Sequence, residues 1–508
     1  MIWEELTKIA LIGTERGNLP AEVEEALSQI GIDTEADPSR VVLQGAAIYR
    51  QLKRAGFPVY SYQGEKPPAT EEAEGRRTAV SSSSARHLRL ILEGSFRQAL
   101  PEFLQLLKQN DNLIPAEHLP TLFYLSLKSV PLWKILQENL GPAEQWLLRQ
   151  NPDWAPLACL PDIEAWPDAS HPEKLGMLRY IRRTQPEDAA SLLESCWNET
   201  PYTEKQTFLK EMEHQAGLYD EAFLEFCLLD SRKEVRTAAA LLLARLPGSA
   251  LLERLFSRAK TILHKEKELS LVLPEKLDDG LKRDGIGIAK KNYPGGKPAG
   301  WAFEIISRIP PQRWEAHFKV PTVDTLRLFA GSRQGKLLLD ALANAAILHQ
   351  DHRWMEAILR YWWRTNDEEA WSGSTGKLLM EHLPDPVFNE MAQQHLKQNP
   401  GFIEEKGFLN QMLSQGAHYW DKALAQLVLK GFQQWLSGAR AYYWNLWHYK
   451  RILEVAAYRI DPGLLESFRS GWDTRSPVWY HWEKEVERFL KVLAFRKEMK
   501  EALEKLRI

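Results

Sequence analysis

The chain has 508 residues, 44% of them apolar and 26% charged, which is the composition of a folded protein longer than one hydrophobic core. Its formal net charge of -3 at pH 7 gives no general attraction to nucleic acid or to anionic membranes. Its 3 cysteines are too scattered for a disulfide framework, and no apolar run approaches the roughly 20 residues of a membrane span. We therefore expect a cytoplasmic protein without a secretory signal and without membrane contact.

Residues 1–165 are predicted to form an N-terminal helical region with one long interruption. Residues 61–85 combine Pro67 and Pro68 with a cluster of glutamates and a run of four serines. Such a polar, proline-containing segment cannot bury enough apolar surface to become ordered. The composition predicts a mobile surface loop near residues 61–85.

The next region, residues 166–276, contains the clearest local pattern in the chain. Residues 228–246 resemble a HEAT repeat, in which a turn with aspartate is followed by Val-Arg and by a helix rich in alanine and leucine. Ser231 and Glu234 have the spacing of a capping box at the start of that helix. We expect Asp230 and Arg236 to form an ion pair between neighbouring repeats.

The same helix predicts how the rest of the chain is organised. Val235, Ala239, Leu242 and Leu246 recur at helical spacing and predict its buried stripe. A two-helix unit cannot cover its own apolar face, so other helical pairs must stack on it, although no second copy of the pattern has comparable quality. The predicted fold is an all-α, HEAT-like α-solenoid of irregular helical hairpins, and a helical bundle is the alternative.

A glycine- and lysine-rich segment, residues 277–300, is predicted to be a long loop. It carries the longest locally basic stretch of the chain, formed by Lys282, Arg283, Lys290, Lys291 and Lys297. Its glycines would let main-chain amides approach an anion, so the segment is a candidate contact surface. The alternative interpretation is a solvated loop without a binding role.

The C-terminal region, residues 301–508, is predicted to be helical and rich in tryptophan. The chain holds 19 tryptophans, and many of them lie near its C-terminal end. Large rings suit the gaps between stacked helices, so core packing is the expected role of most of them. The segment with Tyr443, Trp444 and Trp447 is the candidate exception, an exposed aromatic surface for a partner or for stacked bases.

No motif in the sequence indicates a reaction, a metal or a cofactor. Residues 331–336 and 373–377 are short of the glycine spacing of a phosphate-binding loop, and leucine follows both lysines where that loop needs serine or threonine. A metal site at His349, Asp351, His352 and Glu356 lacks any supporting ligand motif, and we expect these residues to form a turn. No GxSxG elbow occurs, so we predict neither catalytic residues nor cofactors.

Several segments together resemble an uncharacterised bacterial family with HEAT-like helical repeats. The resemblance is carried by residues 9–20, 141–154, 220–225, 246–249 and 492–499 and so covers nearly the whole chain. Genes of that family commonly lie beside those for a MoxR-type AAA ATPase, a von Willebrand A domain protein and a SWIM zinc-finger protein. The resemblance implies a place in such a system and supplies no catalytic residue.

Two hypotheses about function follow from the sequence. The first is a non-enzymatic scaffold or adaptor that binds a protein, with the AAA ATPase or the von Willebrand A protein as the expected partner. The alternative is a HEAT-like DNA-binding protein or DNA glycosylase. The near-neutral charge and the lack of a basic stripe on most helices count against nucleic acid as the partner.

Overall fold

A computed structural model describes residues 2–55, 78–287, 294–398, 403–438 and 447–504 of the chain. These residues are mostly helical, so the prediction of an all-α fold is confirmed. The chain divides into two compact units, residues 1–69 and residues 70–508.

The first unit contains three helices, which are α1 (Ile2–Ile12), α2 (Ala21–Gln29) and α3 (Pro38–Ala55). Helices α1 and α3 pack against each other. Their apolar side chains recur three and four residues apart, and Leu6, Ile9, Val23, Leu27 and Val41 form the buried core.

The second unit begins with five helices and a short pair of strands. The helices are α4 (Ser82–Leu92), α5 (Leu100–Gln109), α6 (Leu119–Leu127), α7 (Val130–Leu136) and α8 (Pro142–Gln150). Strand β1 (Thr78–Ala79) pairs in parallel with β2 (Asn112–Leu113).

The loop predicted near residues 61–85 is only partly described. Residues 61–77 lie outside the described residues. Its predicted end at residue 85 is wrong, because α4 already begins at Ser82. The Ser81 hydroxyl accepts a hydrogen bond from the main-chain N–H of Ser84 at 3.1 Å and so caps this helix.

Seven helices and a β-hairpin follow. The helices are α9 (His171–Thr184), α10 (Asp188–Cys196), α11 (Tyr202–Glu211), α12 (Glu221–Cys227), α13 (Lys233–Arg245), α14 (Ala250–Ile262) and α15 (Asp279–Arg283). The hairpin joins β3 (Leu263–Lys265) to β4 (Leu269–Leu271) in antiparallel register.

The remainder of the unit is helical. It contains α16 (Gly296–Ile306), α17 (Gln312–Phe318), α18 (Thr322–Ala330), α19 (Gly335–Leu348), α20 (His352–Arg364), α21 (Glu368–Ser372), α22 (Ser374–Glu381), α23 (Asp385–Gln398), α24 (Phe408–Gln415), α25 (Lys422–Gly438), α26 (Trp447–Arg459), α27 (Leu465–Phe468) and α28 (Glu483–Glu504).

Helices of the second unit pack as a continuous row. Each of the following helices contacts the next one: α9, α11, α13, α14, α16, α19, α22, α24, α26 and α28. Intervening helices form hairpins with members of the row, as α10 does with α9, α12 with α13 and α20 with α19. One continuous core runs from Trp166 to Leu493, so the predicted regions 166–276 and 301–508 share their buried side chains.

The last helix of the row returns to the first helices of the same unit. Helix α28 contacts α4 and α5, and its Phe495 ring stacks on Phe96 with ring centroids 3.8 Å apart. Arg496, which is 1% exposed, forms an ion pair with Glu102 at 2.5 Å. The same guanidinium donates to the main-chain oxygens of Ala457 and Ile460 at 2.7 and 2.9 Å. One side chain therefore joins the C-terminal end of α26 to α5.

Helix α13 contains the pattern that predicted the fold. Val235, Ala239, Leu242 and Leu246 are all buried, so the predicted stripe is confirmed. The helix ends just before Gly248, whose φ of +85° is a left-handed conformation that favours glycine.

Two predicted contacts at the start of α13 are wrong. The helix begins at Lys233, one residue too late for a capping box of Ser231 and Glu234, and its first turn has no side-chain cap. Asp230 pairs with Lys205 at 2.8 Å instead of Arg236. The Arg236 guanidinium donates to the main-chain oxygens of Asp230 and Ser231 at 2.7 and 2.9 Å. Arg236 therefore binds the carbonyl groups of the turn that precedes its own helix, instead of a carboxylate of a neighbouring helix.

Tryptophans fill much of the core, as expected. Trp420 and Trp482 of the C-terminal region are 4% and 2% exposed. Trp435 stacks on Phe432 and Tyr449. Trp420 and Trp482 are therefore part of the core, and the partly buried Trp435 packs against it.

Within the described ranges, no single helix is long and apolar enough to cross a membrane. Helices α13 and α14 meet that test only as a pair, and they bend by 90° at the break between them.

The buried Arg496 should be important for stability. Replacing Arg496→Met removes the charge but keeps the length, and it leaves the Glu102 carboxylate and two carbonyl groups without their donor. We expect the free energy of unfolding to fall by about 3 kcal/mol, as when one partner of a buried ion pair is lost. Urea unfolding followed by tryptophan fluorescence measures the change.

Arg488→Met on the same helix is the matched control. Arg488 is exposed and lies 3.6 Å from Glu454, so we expect a loss of about 0.5 kcal/mol or less. Equal losses for the two variants would show that the contact between α28 and α5 contributes no special stability.

Candidate functional site

The glycine- and lysine-rich segment is more ordered than the sequence predicts. Residues 278–283 form a turn and α15, because the Asp278 carboxylate caps this helix by accepting from the N–H of Leu281 at 2.7 Å. Helix α16 then begins at Gly296, inside the predicted loop. The prediction of one loop over residues 277–300 is therefore wrong at both ends.

Two of the three predicted basic residues that the structure describes here are paired with carboxylates. Lys282 pairs with Asp279 at 2.9 Å, and Arg283 pairs with Asp284 at 3.0 Å. Lys297 lies in the first turn of α16 and is exposed. Lys290 and Lys291 lie outside the described residues.

Buried charged groups hold the turn after α15 in place. Arg308, in the turn just after α16, is 4% exposed and donates to the main-chain oxygens of Asp284 and Gly285 at 2.7 and 2.8 Å. Glu304, one helical turn earlier, accepts from the N–H of Gly287 at 2.9 Å. Burial lowers the pKa of Arg308 to about 10, so it still carries its charge at neutral pH. The turn is thus fixed to Glu304 and Arg308, which line a large open cavity.

That cavity is an open groove of about 1160 Å³. Its walls are formed mainly by three members of the row, α13, α16 and α19, and by the turns that follow them. We call this cavity the groove. Residues lining it include Thr237, Leu241, Ala244, Arg245, Phe303, Ser307, Arg308, Asn344, Ile347, Leu348, His349 and His382.

Most polar groups of the groove are bonded to the protein's own main chain. The Ser307 hydroxyl donates to the oxygen of Glu304 at 3.1 Å, and Thr237 donates to Lys233 at 2.8 Å. His349 Nε2 donates to the oxygen of Arg308 at 2.9 Å. Burial lowers the pKa of His349 and favours this neutral ring. These hydroxyl and imidazole groups therefore fix the shape of the walls.

A second cavity, of about 530 Å³, adjoins the groove because Glu213 lines both. We call it the α9 pocket. Helices α7, α9 and α11 supply most of its lining. Its cations are Lys134, Arg179, Arg182, Arg183 and Lys210, and its carboxylates are Glu211 and Glu213.

The arginines of α9 have different roles in this pocket. Arg182 is fully buried, pairs with Asp220 at 2.9 Å and donates to the main-chain oxygens of Met212 and His214. Arg179 pairs with Glu211 at 2.7 Å. Arg183 is exposed, and its guanidinium bonds the side-chain oxygen of Gln137. The first two arginines are therefore structural, and the third faces the cavity.

The comparison with protein families matches the chain over most of its length. A model of a family of unknown function, DUF5691, matches residues 5–503. The chain belongs to this family. Comparison with curated proteins and with solved structures gave no match. Because DUF5691 is a family of unknown function, membership transfers no activity to this chain.

Sequence reasoning placed the candidate surface elsewhere in this DUF5691 chain. It chose residues 282–297 and the aromatic segment around Trp444. Tyr443 and Trp444 lie outside the described residues, and of Trp447 only the helical main chain is described. A usable signal for the α9 pocket was present in Arg179 and Arg183, because like charges four residues apart destabilise an isolated helix and need a compensating reason.

A metal centre finds no support in the described residues, which contain no group of three or more histidine, cysteine or carboxylate side chains suited to an ion. Asp351 instead accepts from the N–H of Trp354 at 3.2 Å and caps α20. His349 is bonded to the oxygen of Arg308, so these two side chains serve the turn between α19 and α20.

Gly285, in the turn that Arg308 holds, should be sensitive to substitution. It has a φ of +72°, and a Cβ atom there would lie 2.9 Å from the Cβ of Ala240 and 3.1 Å from the oxygen of Arg236. We expect Gly285→Ala to lower the free energy of unfolding by about 3 kcal/mol, since it adds overpacking to left-handed strain. Thermal or urea unfolding measures this loss.

Gly296→Ala separates the two causes. Gly296 also has a positive φ, +64°, but nothing lies within 4 Å of a Cβ atom there. We expect a loss of about 1 kcal/mol from backbone strain alone. If Gly296→Ala cost as much as Gly285→Ala, close packing of the turn against α13 would not be the cause.

Proposed function

We propose that this protein is a non-enzymatic scaffold or adaptor that binds a partner polypeptide in the groove. The observation that carries the proposal is the groove itself, which is open, about 1160 Å³ in volume and lined by three helices of one row. Extended concave surfaces of this kind are the usual binding sites of stacked helical hairpins. We interpret the row accordingly as a HEAT-like α-solenoid.

The chemistry of the groove supports binding rather than turnover. Its hydroxyl and imidazole groups are engaged by main-chain carbonyls, as Ser307 and His349 are. Its exposed side chains combine apolar contact area with charge: Leu241 is 39% exposed, and Arg245 pairs with Glu213 at 3.0 Å. Protein interfaces commonly combine such an apolar centre with a polar rim.

The partner we propose is a MoxR-type AAA ATPase or a von Willebrand A domain protein. This part of the proposal is supported only by the bacterial family that the sequence segments resemble. It places the protein in the cytoplasm, where such an ATPase would act.

A change at the centre of the groove tests the proposal. Leu241→Asp puts a charge on the apolar wall of α13, where a partner would have to bury it without a counter-ion. We expect the variant to lose at least tenfold in affinity, because an unpaired buried charge costs several kcal/mol. Affinity capture from the native host with mass spectrometry identifies the partner, and titration of the purified pair measures the loss.

Leu229→Asp is the matched control. Leu229 is 70% exposed, lies just after α12 and does not line the groove. It should capture the same protein as the unaltered chain. Capture of no protein by the unaltered chain, or equal capture by both variants, would overturn binding in the groove.

A further inference from the structure

We propose that the α9 pocket binds an acidic segment of the partner polypeptide, one in which an apolar side chain is flanked by carboxylates. This inference rests on the proposed function and names the chemistry of the ligand. Three observations support it: surplus positive charge, an apolar floor and continuity with the groove.

The positive charge of the pocket is only partly neutralised. Both carboxylates that line it are engaged, Glu211 by Arg179 at 2.7 Å and Glu213 by Arg245 at 3.0 Å. Lys134, Arg183 and Lys210 remain, and none of these three forms an ion pair with any residue in the described ranges. All three are exposed, and although Arg183 also bonds Gln137, their charges are available to anionic groups of a ligand.

These three cations belong to different helices but line the same pocket. Lys134 belongs to α7, Arg183 to α9 and Lys210 to α11. The ring of His214 is influenced by two of them: partial desolvation, and then the charges of Arg183, Arg182 and Lys134, lower its pKa. The packing of α9 between its neighbours therefore concentrates positive charge, which attracts an anionic ligand.

Apolar side chains form another part of the lining, which we call the floor. They belong to Leu127, Trp133, Leu157 and Leu175, and Val130 of the same lining is 56% exposed. An inorganic anion would gain nothing from these groups, whereas a leucine-sized side chain would bury its surface there. Positive charge beside an apolar floor thus favours a ligand that has both carboxylates and an apolar side chain.

The connection to the groove favours a polypeptide over a small acid. Glu213 lines both cavities, so a chain seated in the groove can continue into the pocket without leaving the surface. Their combined extent is greater than a small molecule fills, and an extended segment would contact both.

The test uses the full chain and two labelled peptides of 12 residues. The first peptide has a central leucine flanked by glutamates, and the second has glutamine in place of that leucine. Fluorescence anisotropy measures the Kd. We expect the leucine peptide to bind more tightly than the glutamine peptide. Its binding should weaken as salt is added. Lys134→Glu, Arg183→Glu and Lys210→Glu should each weaken it about tenfold, since charge reversal replaces attraction by repulsion.

Lys282→Glu is the matched control, because Lys282 is an exposed lysine that already pairs with Asp279. It should bind the leucine peptide like the unaltered chain. Equal weakening by all four variants would show that binding depends on the overall charge of the protein, and it would overturn the proposed site. No binding of the leucine peptide at about 1 mM would also overturn it, as would tighter binding of duplex DNA that depends on the same three cations.

Failure of this inference is distinguishable from failure of the proposed function. If capture of the partner requires Leu241 but not Arg183, the groove binds a polypeptide and the α9 pocket does not select an acidic segment of it. If the leucine peptide binds in the α9 pocket but no protein is captured from the host, the preference of the pocket for such a peptide is supported and the scaffold proposal fails.

Discussion

The structure depends on one constraint: carbonyl groups at the C-terminal ends of buried helices need hydrogen-bond donors. The last turn of every helix leaves carbonyl oxygens without main-chain partners, and stacking helices side by side removes those oxygens from water. Arg182, Arg308 and Arg496 meet this need, since each is nearly fully buried and donates to main-chain oxygens. A guanidinium has five donors in a fixed geometry, so one side chain can join two or three segments.

This constraint also shapes the candidate binding surface. Arg182 lies beneath the α9 pocket, and Arg308 lies in the wall of the groove. Because their hydrogen bonds are used internally, they hold the surface rigid and leave ligand contacts to other residues, such as Arg183 and Leu241. A rigid surface loses little conformational entropy when a partner binds, which favours affinity.

The sequence predicted the features that depend on local periodicity. The stripe from Val235 to Leu246 and the all-α class both follow from the spacing of apolar residues, which helix geometry determines. The site could be predicted only in part, as an undefined surface of stacked helices. Its position depends on which helices become neighbours, and the spacing of residues within one helix carries no information about that.

The wrong predictions have the same origin. Asp230 and Arg236 are close in sequence, yet the carboxylate pairs with Lys205 and the guanidinium binds carbonyl groups. Residues 278–287 look like a flexible linker by composition, but Glu304 of a later helix and Arg308 just after that helix fix them. A polar residue can satisfy several partners, and tertiary packing selects one of them.

Photo-crosslinking in the native host tests the central claim, binding of a polypeptide in the groove, most directly. A benzophenone amino acid is placed at residue 241, inside the groove, or at residue 229, outside it. The account predicts a covalent adduct with one other polypeptide from position 241 and none from position 229. An adduct from position 229 alone, or none from either position, would contradict it.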